Sequence, residues 1–204
     1  MSKVKICGLS RIEDIDAVNR ALPDYIGFVF AKSRRRVDEA TASMLKERLD
    51  SRIKAVGVFV NEKAEIIAGL YENGVIDLAQ LHGDEDESYI LRLKGSCGCP
   101  AIKAAGVGDV LPKPPGNADY LLFDTLSEQR GGTGRPFDWG ILKGFQGPPY
   151  FLAGGLSAEN VCEAIKALSP FCVDVSSGVE KDGRKDAYKV HEFVSLVRGF
   201  DFSA

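Results

Sequence analysis

The chain has 204 residues, of which 45% are hydrophobic and 27% are charged, and its 26 Lys and Arg against 29 Asp and Glu give a net charge of -3. A single domain of this length buries roughly 70% of its unfolded surface, and the composition excludes a disordered, collagen-like or coiled-coil protein. The pI near 5.5 argues against a nucleic-acid partner, because sequence-independent attraction to phosphates needs a basic surface.

Eight short runs along the chain predict β-strands. Most of them are apolar nearly throughout, which is typical of parallel strands covered on both faces. In chain order they are VKIC (4–7), YIGFVF (25–30), IKAVGVFV (53–60), VIDLAQL (75–81), PAIKAAG (100–106), DYLLFDT (119–125), PYFLAGG (149–155) and FCVDVSSG (171–178).

Seven segments with helical spacing lie between or after these strands, and Ser10 and Asp38 are start signals for the first two. The segments cover residues 11–22, 39–49, 63–72, 85–94, 137–142, 157–168 and 186–198. An eighth helix is missing at 107–118, where Pro112, Pro114 and Pro115 remove backbone donors. We therefore expect an irregular connection in place of the fifth helix.

The alternation of strands and helices predicts a single (β/α)8 TIM barrel domain spanning residues 1–204. The alternative is a doubly wound open sheet. Against it, no G-x-G-x-x-G follows the first strand, and the glycine-rich segments come late, after strands seven and eight. In a barrel, the chemistry lies at the carboxyl ends of the strands.

Reactive side chains fall at several of these predicted strand ends. Cys7 closes strand one, the run 34–36 of three arginines follows strand two, His82 closes strand four and Asp124 closes strand six. Each has an ordinary structural explanation as well: a buried thiol, a solvated loop, a hydrogen-bonded imidazole, and a helix cap or ion pair. A guanidinium at this face suits a carboxylate or a phosphate.

Two glycine-bearing loops follow strands seven and eight, and they predict a phosphate site built from main chain, with simple structural turns as the alternative. The first contains Gly154 and Gly155 and precedes Ser157, which we expect to be the N-cap of the next helix. The second contains Ser176, Ser177 and Gly178. The ligand predicted from these loops is a phosphorylated small molecule. The polar segment 127–135 after Asp124 predicts a lid over the site.

The cysteines, the histidines and the hydropathy pattern limit which bonds, metal sites and cellular locations we expect. Five cysteines, an odd number, predict free thiols, and with only two histidines we expect no metal site. No window approaches the 18 apolar residues of a membrane span, and the N-terminus has no apolar signal core, so we expect a cytoplasmic protein with no membrane partner. The surface composition fits both a monomer and a homodimer.

Ten motifs in consistent order carry a family resemblance. They are KICGL (5–9), GFVF (27–30), KSRR (32–35), VGVFVNE (56–62), QLHGDE (80–85), IKA (102–104), FDT (123–125), GGTGRPFDW (131–139), AGGLSAENV (153–161) and VDVSSGVE (173–180). From residue 3 to about 198 the sequence resembles the phosphoribosylanthranilate isomerases of tryptophan biosynthesis.

The resemblance implies an Amadori rearrangement of N-(5-phosphoribosyl)anthranilate to 1-(2-carboxyphenylamino)-1-deoxyribulose 5-phosphate without a cofactor. It implies that Cys7 is the general base, that Asp124 is the general acid, and that Arg35, aligned through K-S-x-R, binds the anthranilate carboxylate. It also implies that the two glycine-bearing loops bind the phosphate. We count His82 with the substrate-binding residues because it lies at the right strand end, although no chemical step requires it.

The implied reaction sets a condition on the pKa of Asp124 and another on the pKa of Cys7. Asp124 must donate a proton near neutral pH, so its pKa should be raised, whereas the Cys7 thiol needs a modest downward shift of its pKa. Lys5 points to the same side of the strand as Cys7 and would assist it electrostatically. The rival interpretations are a metal-dependent phosphosugar epimerase, the histidine-pathway aminoketose isomerase, and a barrel that binds a phosphorylated ligand without catalysis.

Overall fold

A closed barrel of eight parallel strands in sequential order forms the centre of the computed structural model, which describes residues 1–113, 116–126 and 137–200. The strands are β1 Lys3–Cys7, β2 Tyr25–Val29, β3 Lys54–Phe59, β4 Leu78–Leu81, β5 Ala101–Val107, β6 Tyr120–Thr125, β7 Tyr150–Leu152 and β8 Cys172–Val175. All eight predicted strands are present, and the predicted (β/α)8 fold is confirmed. β1 pairs with β8, which closes the barrel and brings the first and last of these strands together.

Helices on the outside of the barrel cover the strands. Within the described ranges they are α1 Ile12–Ala21, α2 Glu39–Glu47, α3 Ala64–Glu72, α4 Glu87–Cys97, α5 Val161–Leu168 and α6 Ala187–Gly199. Three of them begin after an aspartate whose carboxylate accepts a hydrogen bond from a backbone N–H three residues later, which satisfies a free donor of the first turn. These aspartates are Asp38, Asp86 and Asp186.

Two sequence expectations about the helical segments before α5 were wrong. The segment 137–142 forms only a short 3-10 helix, Trp139–Leu142, where Asp138 accepts from the N–H of Gly140. At the first helix the N-cap is Arg11, and Ser10 instead donates its backbone N–H to the carboxylate of Asp14. The predicted irregular connection between β5 and β6 holds, since residues 108–113 and 116–119 contain no helix.

The predicted lid at 127–135 lies outside the described residues. Pro114 and Pro115 of the connection between β5 and β6 lie outside them as well. A short antiparallel hairpin follows β8, formed by β9 Glu180–Lys181 and β10 Arg184–Lys185. No helix in the part of the chain that the structure describes is long and apolar enough to cross a membrane.

The interior of the barrel changes from apolar to polar along the strands. A cluster of buried side chains fills it from the amino ends upward, and its members are Tyr25, Val56, Leu78, Ile102, Leu122, Phe151, Ala153 and Cys172. On β6 the next side chain on the inner face after Leu122 is Asp124, since side chains alternate along a strand. Polar side chains therefore lie above the apolar cluster, at the carboxyl ends of the strands, where the active sites of this fold are found.

Candidate active site

A cavity of about 430 Å³ opens at the carboxyl ends of the barrel strands. The sequence-predicted site residues that line it are Cys7, Arg35, His82, Asp124, Gly154, Gly155, Ser176 and Ser177. Gly178 does not line it. A side-chain carbon at that position would collide with the carbonyl oxygen of Leu156, so glycine there lets the two late loops pack closely.

Cys7 ends β1 and is partly buried beside Gly27 of the neighbouring strand. A side-chain carbon on Gly27 would lie 2.6 Å from the Cys7 Sγ, so glycine leaves the room that the thiol occupies. Burial raises the pKa of the Cys7 thiol, although Lys5 and Lys185 lower it in part. The net direction is opposite to the downward shift that the chemistry led us to expect.

A buried ion pair lies beside the thiol. Lys5 Nζ is 2.8 Å from Asp174 Oδ2, and the two side chains are 0% and 6% exposed, so each needs the other to remain charged. Burial by itself would lower the pKa of Lys5, but Asp174 and Cys7 together raise it above its ordinary value. Sequence reasoning identified Lys5 and missed Asp174, although an aspartate inside the apolar strand segment FCVDV was a signal for it.

Asp124 ends β6 with most of its side chain buried, and its Oδ1 accepts the backbone N–H of Thr125 at 2.8 Å. Burial raises its pKa to about 6, the hydrogen bond from Thr125 opposes that rise, and the charge of Asp174 adds to it. The carboxyl therefore has the raised pKa that donation near neutral pH requires.

His82 lies next to Asp124, with its Nε2 3.9 Å from Asp124 Oδ2. The other ring nitrogen, Nδ1, is 3.0 Å from Nε2 of the buried Gln80, which also lines the cavity. These two contacts place the His82 ring between the Gln80 amide and the Asp124 carboxyl. Gln80 was missed by sequence reasoning because an inward glutamine on an apolar strand has no distinctive pattern.

Arg35 is the arginine of the run 34–36 that lines the cavity. Its Nε and Nη2 donate to the two carboxylate oxygens of Glu180, at 2.6 and 2.9 Å, and its Cδ lies over Gly8. Arg34 also pairs with Glu180, whereas Arg36 donates to the backbone oxygen of residue 30. Glu180 thus fixes the position of Arg35 and occupies one edge of its guanidinium.

Lys185 connects this cluster to the eighth strand. Its buried Nζ donates to Glu180 Oε1 at 2.8 Å and to the carbonyl of Ser176 at 2.9 Å, while the Ser176 hydroxyl donates to the carbonyl of Cys7 at 3.0 Å. Burial raises the pKa of Glu180, but Arg35 and Lys185 outweigh it and lower the pKa to about 2. Sequence reasoning assigned no role to Glu180 or Lys185.

The first glycine-bearing loop is a closed turn. Gly154 and Gly155 have φ values of 84° and 65°, which favour glycine, and the Asn160 side chain donates to the carbonyl of Gly155. The expectation that Ser157 is the N-cap was wrong: α5 begins at Val161, Asn160 is its N-cap, and the Ser157 N–H donates to the Asn160 side chain. The residues between Gly155 and α5 are used to close the turn.

Among the described residues, no group of three or more His, Cys, Asp or Glu side chains is placed to hold a metal ion. The five cysteines carry free thiols. The polar groups of the cavity therefore offer acid–base and anion-binding chemistry: a thiol, a carboxyl with a raised pKa, an imidazole, a guanidinium and two glycine-bearing loops.

Comparison with known proteins identifies the family of this chain. The family model described as N-(5'phosphoribosyl)anthranilate (PRA) isomerase matches residues 4–196. The N-(5'-phosphoribosyl)anthranilate isomerase of Endomicrobium trichonymphae is 52% identical over 199 residues, which cover 97% of this chain and 99% of that protein.

Solved structures agree with the sequence comparison. The phosphoribosyl anthranilate isomerase of Thermus thermophilus has a TM-score of 0.85 at 31% identity, covering 98% of this chain and 100% of that one. A phosphoribosyl anthranilate isomerase in complex with reduced 1-(o-carboxyphenylamino)-1-deoxyribulose 5-phosphate has a TM-score of 0.82 at 31% identity, with the same coverage.

Proposed function

Because this chain belongs to the N-(5'-phosphoribosyl)anthranilate isomerase family of tryptophan biosynthesis, we propose that Cys7 and Asp124 are the general base and general acid of that isomerisation. The substrate is N-(5-phosphoribosyl)anthranilate and the product is 1-(2-carboxyphenylamino)-1-deoxyribulose 5-phosphate. One observation carries the assignment: a single cavity contains a strand-end thiol, a strand-end carboxyl with a raised pKa, and a guanidinium beside two glycine-bearing loops.

Asp124 acts first. Its proton goes to the ring oxygen of the ribose, the bond between that oxygen and C1′ breaks, and the anilino nitrogen becomes an iminium. The iminium acidifies the hydrogen on C2′. Cys7 as thiolate takes that hydrogen and gives an enolamine, which becomes the ketone when C1′ gains a proton and the 2′-hydroxyl loses one. The substrate gains one proton from Asp124 and gives one to Cys7, so the cycle closes when a proton passes from the Cys7 thiol back to the Asp124 carboxylate through solvent.

The order of the two pKa values has a consequence for the free enzyme. With the pKa of Asp124 at about 6 and that of Cys7 above its ordinary value, the carboxyl is mostly ionised and the thiol is mostly protonated near neutral pH. The reactive form, with a protonated carboxyl and a thiolate, is a minor species of the same net charge. Lys5 and Lys185 increase its share because both cations lower the pKa of Cys7.

Arg35 and the glycine-bearing loops hold the two anionic ends of the substrate. Glu180 takes the Nε edge of Arg35, so the anthranilate carboxylate meets the remaining guanidinium donors. The phosphate is held by backbone N–H groups and hydroxyls of the two loops, which contribute Gly154, Gly155, Ser176 and Ser177 to the cavity, while Gly178 lets the loops pack together. His82 Nε2 faces the same space from beside Asp124.

The test is anthranilate fluorescence with substrate generated in situ, comparing wild type, Cys7→Ser and Asp124→Asn. Each variant should lose about 10²- to 10⁴-fold in turnover, the usual contribution of a general acid or base. Titration with the reduced product analogue should show that both variants still bind. Cys162→Ser is the matched control, because this thiol lies on α5 and does not line the cavity.

Two outcomes would contradict the proposal. Wild-type protein that binds the analogue but converts substrate no faster than its spontaneous breakdown would favour a barrel that only binds phosphorylated ligands. Unchanged turnover in Cys7→Ser would leave the family activity standing and remove Cys7 from the role of base.

A further inference from the structure

Glu180 and Lys185 form a buried ion pair that contacts two parts of the cavity lining without lining the cavity itself. Lys185 Nζ is 2.8 Å from Glu180 Oε1, and the two side chains are 1% and 6% exposed. Glu180 accepts two hydrogen bonds from Arg35, while Lys185 donates to the carbonyl of Ser176 in the second glycine-bearing loop. A buried ion pair adds little net stability, because desolvation of its charges offsets their attraction. Its place between Arg35 and this loop points to a positioning role.

The backbone holds this pair in place. Glu180 and Lys185 are direct partners in the antiparallel hairpin of β9 and β10. The backbone N–H of Asp186 donates to the carbonyl of Val179 at 3.0 Å, and Lys189 Nζ donates to the backbone carbonyl of Glu180 at 3.0 Å. The Glu180 carboxylate is therefore fixed by its own main chain as well as by Lys185.

Arg35 depends on this carboxylate for its position. Arginine is among the side chains with the most rotamer freedom to lose on ordering. A side-chain carbon on Gly8 would lie 2.4 Å from Arg35 Cδ, so glycine there leaves a path for the aliphatic part of the arginine. The guanidinium donates to both oxygens of Glu180, and this planar two-point contact fixes its direction as well as its place.

The two anionic ends of the proposed substrate are held by different loops. Arg35 belongs to the loop after β2, whereas Ser176 belongs to the loop after β8. The chain of contacts from Arg35 through Glu180 and Lys185 to Ser176 sets the distance between them. A carboxylate ortho to the ring nitrogen lies at a different distance from the phosphate than a para carboxylate does. A fixed guanidinium therefore suits only one of these isomers.

We infer that the pair of Glu180 and Lys185 fixes Arg35 at the distance from the phosphate loop that suits an ortho carboxylate, and thereby selects anthranilate over 4-aminobenzoate at this end of the substrate. The inference rests on the proposed function, which assigns the carboxylate to Arg35 and the phosphate to the glycine-bearing loops. Glu180 and Lys185 are thus positioning residues that act through Arg35.

Calorimetric titration with two isomeric ligands tests this selection. One ligand is reduced 1-(o-carboxyphenylamino)-1-deoxyribulose 5-phosphate, and the other is the same compound with its carboxylate para to the nitrogen. The isomers carry equal charges, so general attraction to the arginines cancels from the ratio of their affinities. Wild type should bind the ortho isomer about 10- to 100-fold more tightly, the range of a hydrogen bond to a charged group. In Glu180→Gln/Lys185→Met, which removes one charge of each sign, the ratio should fall about fivefold or more because Arg35 regains rotamer freedom.

Two further measurements separate positioning from a general loss of structure. Lys94→Met/Asp119→Asn removes an ion pair of 2.8 Å whose residues do not line the cavity, and this control should keep the wild-type ratio. In an Arg35→Met background, the substitutions at Glu180 and Lys185 should change the ratio no further, because they act through the guanidinium. If the double variant does not fold, Glu180→Asp replaces it. The shorter side chain keeps the charge and moves the carboxylate, so the ratio should still fall about threefold or more.

The possible results separate this selection from the proposed function. An unchanged ratio in a folded Glu180 variant overturns the inference, and so does a wild type that binds both isomers equally. A fall of the same size in the Arg35→Met background overturns it as well. If wild type turns over substrate in any of these cases, the isomerase activity stands without the inference. If wild type binds neither isomer and converts no substrate, the proposed function fails and the inference fails with it.

Discussion

Replacing Asp124 by Asn is expected to stabilise the folded protein at neutral pH while it removes the proposed general acid. Burial raises the pKa of this carboxyl from 3.8 to about 6 on folding. A carboxyl whose pKa is raised in the folded state binds its proton more tightly there. Below the unfolded pKa it therefore has no cost to the free energy of unfolding. The cost develops between pH 3.8 and about 6 and is complete above that range.

The magnitude follows from the difference between these two pKa values. About 2 pH units correspond to about 3 kcal/mol of free energy of unfolding that the ionised carboxylate removes. An Asn side chain keeps the shape and can still accept the backbone N–H of Thr125. The neutral acceptor forms a weaker bond, which costs roughly 1 kcal/mol, so we expect a net gain of about 2 kcal/mol at neutral pH.

The assay is urea unfolding of wild type and Asp124→Asn, followed by circular dichroism at about pH 7.5 and about pH 4. The gain should be present at the higher pH and absent at the lower one. Asp86→Asn is the control, because Asp86 is an exposed helix N-cap whose hydrogen bonds lower its pKa, and Asn caps equally well. The control should show no gain at neutral pH.

A single result would refute the reasoning. If Asp124→Asn loses stability equally at both pH values, then the ionised carboxylate carries no desolvation cost in the folded state. The pKa of Asp124 would then not be raised, and the physical basis for calling it a general acid near neutral pH would be lost.

Three further predictions concern the thiol, the guanidinium and the packing of the late loops. The rate at which iodoacetamide alkylates Cys7 in the folded protein, followed by mass spectrometry, should still be rising at about pH 9, because burial raises the pKa of the thiol and only the thiolate reacts. Arg35→Lys should raise KM about tenfold or more with a smaller change in kcat, because an ammonium group cannot bind Glu180 and a substrate carboxylate with the same planar geometry. Gly178→Ala should destabilise the protein by about 1–3 kcal/mol in urea unfolding, since the added carbon collides with the carbonyl of Leu156.

Matched variants sharpen the last two predictions. Arg36→Lys should leave KM unchanged, because Arg36 contacts the backbone of residue 30 and does not line the cavity. Gly95→Ala on α4 has no neighbouring atom within 4 Å and should stabilise by about 0.5–1 kcal/mol. A Gly178 variant as stable as wild type, or an Arg36 variant with the KM of the Arg35 variant, would contradict these assignments. For the thiol, an alkylation rate whose pH midpoint lies below about pH 8 would contradict the raised pKa of Cys7.

The sequence by itself determined the features that depend on local pattern. Apolar runs predicted the eight strands because parallel barrel strands are covered on both faces, and Asp38 marked the start of α2 because its side chain satisfies a free N–H group. Cys7 and Asp124 could be selected as candidates from the ends of their strands, and the family resemblance then implied their roles. The expectation of a helix at 137–142 failed because periodicity over six residues cannot separate a single 3-10 turn from an α-helix.

Only the tertiary structure decided which charges meet and how burial changes them. Lys5 and Asp174 are 169 residues apart and pair because β1 closes against β8, and Arg35 meets Glu180 across 145 residues. No local pattern encodes such pairs. The pKa values of Cys7 and Asp124 follow from desolvation inside the closed barrel, which depends on every strand being in place.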